Sequence, residues 1–119
     1  MLKTMLLVCV LLTLISCDSF FEPTEPYQRM MPPEIYSVWW SESETCADQR
    51  RDMKHVVWFT VAADSFLTRK GWAIGYWSGE HKIYLTERRK LSMGLVKHEM
   101  LHEIIHQGEH PSPPFRVCA

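Results

Sequence analysis

The sequence predicts a small α+β domain. An antiparallel sheet of about three strands packs on one long helix, and a short helix precedes the sheet. Three observations carry that prediction. His55 to Val61 reads HVVWFTV, a run of β-branched and aromatic residues that suits a pleated, half-buried strand. Trp72 to Trp77 (WAIGYW) and His81 to Thr86 (HKIYLT) are two further strand-like runs. Ser78-Gly79-Glu80 between them has the turn chemistry of a hairpin. From Leu91 or Ser92 to Gln107 the chain reads as an amphipathic helix, with Ser92 available as N-cap and Gly108 as the stop.

The remaining elements follow in chain order. Lys3 and the apolar run Met5 to Ile15 have the form of a secretory signal, because that run falls short of the roughly 20 residues a membrane span needs. The signal ends in Leu14-Ile15-Ser16-Cys17, which resembles a bacterial lipobox. The resemblance implies a signal peptide over residues 1–16, cleavage before Cys17 and lipidation of Cys17. An ordinary signal peptide would leave that cysteine incidental. In Gram-negative lipoproteins an Asp after the lipidated Cys favours the inner membrane, and Asp18 fits. The expected location is the bacterial cell envelope, lipid-anchored and facing outside the cytoplasm. Residues 17–33 carry Pro23, Pro26, Pro32 and Pro33 among polar residues and are expected to be an extended tether. The domain then spans residues 34–119. Pro32 and Pro33 lead into a short helix whose apolar positions are Ile35, Val38 and Trp39. Ser41 to Asp52 is polar, and Ala62 to Lys70 reads as a connector. Gly75 interrupts the second strand, while Ile83 and Leu85 share one face of the third. Beyond Gly108, Pro111, Pro113 and Pro114 forbid further helix.

Composition narrows the function. A chain of 119 residues has room for one domain, and its 46% hydrophobic content is ordinary for a folded one. A net charge of −1 gives no basic footprint for nucleic acid. Of the four cysteines, Cys9 leaves with the signal and Cys17 takes the lipid. Cys46 and Cys118 remain in an oxidising compartment, where a disulfide is the simplest outcome. Two free thiols, or a thiolate–metal site without a CxxC, are the alternative. Closing a loop of about 70 residues would contribute roughly 4 kcal/mol, a large share for a mature chain with so thin a core.

The chemistry concentrates in the long helix. His98-Glu99-Met100-Leu101-His102 spells HExxH. On a helix the two histidines lie one turn apart, rotated by about 40°, so both imidazoles point the same way and can grip one metal ion. Glu99 lies beside them, where a carboxylate can activate a water. The motif overlaps itself, because HEMLHEIIH offers a second register with His102, Glu103 and His106. The first register has apolar Leu95, Val96, Met100 and Leu101 around it, as a helix packed on a sheet requires. The second would put Glu99 where an apolar residue belongs and would end in the Gly108 break directly after His106. The first is therefore preferred, with His106 left as a surface or supporting residue.

Two histidines and a water leave zinc one protein ligand short. His110 follows the Gly108 turn, and Phe115 follows His110. This arrangement, over roughly Ile83 to Phe115, resembles SprT-like and YgjP-like zinc peptidases, in which a histidine downstream of HExxH completes the site and a Phe packs beneath it. The metzincin pattern fails, since it needs Gly at Ile105 and His at Gly108. Glu109 is a poor alternative ligand, and Glu103 departs from the zincin pattern, which is usually uncharged there. The resemblance implies a minimal zincin-like domain holding one Zn²⁺ through His98, His102 and His110. It implies a membrane-anchored peptidase that hydrolyses peptide bonds with a metal-activated water and Glu99 as general base. The strand His81 to Thr86 is expected to border the cleft. Tyr84, His81 and Arg116 are candidates for further oxyanion or carboxylate contacts, and the sequence favours none of them. His55 and His81 otherwise read as surface strand residues. Expected partners are a peptide or protein substrate and, through the lipid, the membrane. The alternative is a non-catalytic zinc-binding lipoprotein, a metal carrier or peptide-binding module.

Overall fold

Backbone pairing joins the strand-like runs differently from their order in the sequence. In the computed structural model, which describes residues 20–118, the elements are β1 (Tyr27–Met30), α1 (Ile35–Ala47), β2 (Val57–Val61), β3 (Phe66–Thr68), β4 (Gly71–Ala73), β5 (Gly75–Trp77), β6 (Lys82–Thr86), α2 (Met93–Ile105) and α3 (Pro114–Val117). The signal peptide expected over residues 1–16 and the lipidation expected at Cys17 fall outside the described residues. Four strands form a mixed sheet in the order β1-β2-β6-β5, and β3 and β4 form a separate hairpin. The protein is thus a small α+β domain.

The expected three-stranded antiparallel sheet is corrected on two counts. First, β2 and β6 run parallel, with Trp58 opposite Ile83 and Thr60 opposite Leu85. Parallel neighbours need a long return path, and the segment 62–81 supplies it. Second, the WAIGYW run is two strands. Gly75 to Trp77 forms the expected hairpin with β6, while Gly71 to Ala73 turns back onto β3, in the segment read as a connector. Gly75 is needed for a close approach: a Cβ there would stand 2.9 Å from Leu95 Cδ1 and 3.3 Å from Glu99 Cγ. The bare glycine therefore lets α2 lie directly against β5.

Alternation in the strands sorts the two faces. Ile83 and Leu85, with Trp58, face α1 and α2 and pack with Tyr36, Trp39, Trp40, Val96, Met100 and Ile104. Tyr84, Val61 and the partly buried Phe59 and Tyr76 face the other way, where Phe21 and Phe66 cover them. Phe21 thus belongs to the core, and β1 pairs antiparallel with β2. The folded unit therefore reaches back into the segment expected as a tether. Its prolines flank the strand Tyr27–Met30, where they do not interrupt the pairing.

Helix α1 is longer than expected and presents a different face. It runs through the polar stretch to Ala47, burying Tyr36, Trp39, Trp40 and Ser43, while Ile35 and Val38 are exposed. The large aromatics win the buried side, and the Ser43 hydroxyl is satisfied by the Trp39 carbonyl at 2.8 Å. Helix α2 starts after Ser92, which has cap backbone geometry but makes no side-chain cap bond. It ends at His106 in the left-handed conformation, not at Gly108. A glycine is the easier residue there, but histidine tolerates the conformation. Arg51 Nε donates to the Ile104 carbonyl at 3.0 Å, satisfying one open end of the helix. Past the turn, Pro114 opens the single-turn helix α3, a position where the missing N–H costs nothing.

Candidate metal centre

Helix α2 delivers the first two imidazoles, and the turn after it returns the third. His98 Nε2 stands 3.3 Å from His102 Nε2 and 3.1 Å from His110 Nε2. The ligand atoms of the three residues all lie within 4.8 Å of one another. Two contacts hold the returning turn. The His102 ring Nδ1 bonds the Gln107 carbonyl at 2.8 Å, so this nitrogen carries the proton and Nε2 is left unprotonated, facing the other two imidazoles. Lys70, on the β3–β4 turn, donates from Nζ to the Gly108 carbonyl at 2.5 Å. Beneath the cluster the Phe115 ring packs on all three imidazoles, with centroid separations of 5.0 Å to His98, 4.5 Å to His102 and 4.8 Å to His110.

The disulfide expected from the cysteine count is present. Cys46 on α1 is bonded to Cys118 at the end of α3, 72 residues away in sequence. It ties α3, and with it Phe115, to the body of the domain. The proline-rich tail is therefore held at both the turn and its end.

Glu99 sits next to His98 but inside the protein, at 5% exposure. Burial pushes its pKa up to about 8, against the Trp77 backbone N–H that bonds the carboxylate and the nearby Lys70 charge. Burial also lowers the pKa of His98, and lowers that of His102 to about 4. Both rings are therefore neutral near pH 7, the form that binds a metal. A cleft of about 300 Å³ opens over these groups, lined also by Lys70, Trp72, Gly75, Tyr76 and Trp77.

Several expectations about the cleft are corrected. Strand β6 does not border it, because β6 is paired on both sides by β2 and β5. The edge strand is β5, whose Gly75, Tyr76 and Trp77 line the cleft. Tyr84 is on the opposite face of the sheet, donating to the Phe21 carbonyl at 3.2 Å. Arg116 is exposed on α3, outside the cleft lining. His81 is turned to Glu103 rather than to the cleft, and His55 is exposed. Glu103, whose charge departs from the zincin pattern, is fully buried: Trp77 Nε1 donates to it at 2.5 Å, and His81 bonds its other oxygen. Lys70 and Trp77 were not singled out in the sequence. The glycine interrupting WAIGYW was the available signal, since it marks a strand approached closely by another element.

Compared with known proteins, the chain matches no family model, no curated protein and no solved structure.

Proposed function

We propose that this protein is a zinc-dependent peptidase with a minimal zincin-like fold, anchored to the bacterial cell envelope by lipid on Cys17. The observation that carries the reading is the convergence of three imidazoles beside one buried carboxyl, in an open cleft at a sheet edge. The donor set suits zinc. Three imidazole nitrogens leave a coordination position free, and His102 has its second ring nitrogen bonded to a carbonyl, as metal-ligating histidines commonly do. His98, His102 and His110 would hold the ion, which when bound supplies Lewis-acid polarisation of the scissile carbonyl and makes a nearby water more acidic.

The chain's own residues do the rest. The charge of a bound ion would favour the ionised form of Glu99, which burial alone disfavours. A Glu99 carboxylate oxygen then takes the proton of the attacking water and passes it to the nitrogen of the leaving amine. The Trp77 N–H fixes the orientation of that carboxylate. An extended substrate lies along β5, the free edge, and gains main-chain hydrogen bonds there. Phe115 excludes water from the underside of the imidazoles.

The test is hydrolysis of a fluorogenic peptide library by the full chain in detergent, with zinc content measured on the same samples. Wild type should cleave, a chelator should stop it and zinc should restore it. Glu99→Gln should keep its zinc and lose about 100-fold or more in rate. A zinc-loaded wild type that cleaves nothing would instead favour the non-catalytic zinc-binding lipoprotein.

A further inference from the structure

We infer that the protein has a second metal site, formed by His81, Glu103 and His106, for a divalent first-row transition ion such as zinc. It shares no ligand with the site above and does not rest on the peptidase reading. The second HExxH register is thus split. His102 belongs to the first site, while Glu103 and His106 turn to the other side of the helix end and meet His81 from the β5–β6 turn. One ligand atom from each of these three residues lies within 4.8 Å of the other two.

Three features distinguish this cluster from a chance meeting of polar side chains. Glu103 is 1% exposed, and buried carboxylates are retained where they are paired or bind cations. Its two oxygens are divided: Oε2 accepts from Trp77 Nε1, and Oε1 faces His81 Nδ1. Hydrogen bonding is the usual support of a metal-binding carboxylate, and an ion here would take the place of the direct contact between Oε1 and His81 Nδ1. Finally, both histidines adopt the left-handed backbone conformation, with φ of 60° at His81 and 55° at His106. At His106 this is the C-terminal turn of α2, and at His81 it is the turn between β5 and β6. Together the two turns bring the rings to 5.6 Å between centroids. Two imidazoles and one carboxylate are donors for zinc, cobalt or nickel rather than for calcium or magnesium. The His81 side chain is 45% exposed and His106 is exposed, so an ion can reach the site and water can complete its shell.

The experiment is equilibrium dialysis of the full chain in detergent against micromolar free Zn²⁺, followed by metal analysis. Wild type should hold two equivalents. His106→Gly, which removes a ligand while suiting the left-handed backbone, should hold one. Glu103→Gln, which keeps an acceptor for Trp77, should also hold one. His110→Ala should keep the second-site ion, and His106→Gly/His110→Ala should hold none. One equivalent in wild type, lost in His110→Ala and retained in His106→Gly, would mean that His81 and Glu103 form only an ion pair and would overturn the proposal. Two equivalents retained in folded His106→Gly and Glu103→Gln would overturn it as well. Loss of the first-site ion alone would count against the His98, His102 and His110 centre, not against this one.

Discussion

Glu99 carries a cost in the folded protein that its proposed role would explain. A carboxylate at 5% exposure is desolvated, and its pKa rises from 4.5 to about 8. The folded chain therefore binds a proton that the unfolded chain releases between those values. By linkage, stability falls as pH rises through that window, because the native state holds more protons than the unfolded one. For the chelator-treated protein we expect the melting temperature to decline between about pH 5 and pH 8. Glu99→Gln should flatten that decline, a gain on the order of a few kcal/mol at pH 8. Parallel declines in the two proteins would show that the burial of this carboxyl is not what sets the slope. Stability given up at Glu99 is what its proposed role as general base would lead one to expect.

Helix α2 and strand β5 form the element pair that builds the cleft, and Gly75 is the point where they touch. A methyl group there meets Leu95 and Glu99. Gly75→Ala should destabilise by about 1–2 kcal/mol and slow hydrolysis more than it weakens zinc binding, because it displaces Glu99 and not the imidazoles. Thermal melts with paired kinetic and zinc titrations check this; equal losses in both would reject the distinction. At this scale the sequence was informative about α2. Leu95, Val96, Met100 and Leu101 identify its packed side, and that side chooses between the overlapping motifs. It was less informative about where α2 stops, since His106 takes a backbone conformation usually left to glycine. The role of Glu103 was hidden because its partners, Trp77 and His81, come from another part of the chain. Strand β1 was hidden for a similar reason: Tyr27 to Arg29 are exposed, and only pairing with β2 makes them a strand.

Across the whole molecule, the position of His110, the proposed third ligand, depends on long-range ties. Lys70 reaches Gly108 from the β3–β4 turn, and Cys118 reaches Cys46 on α1. The cysteine count anticipated the second tie, while nothing local in the sequence announces the first. Cys118→Ser should lower stability by roughly 2–4 kcal/mol and weaken zinc binding, since α3 and Phe115 lose their anchor. An unchanged melting temperature and unchanged zinc retention would count against that role.

The most direct test of the His98, His102 and His110 centre is an anomalous difference map at the zinc edge, from crystals of the zinc-loaded chain. It should show a peak about 2.0–2.1 Å from Nε2 of each of these three histidines, with Glu99 beside it and not coordinated. A map with no peak at these three nitrogens, or with His106 in place of His98 around the ion shared with His102, would contradict the account.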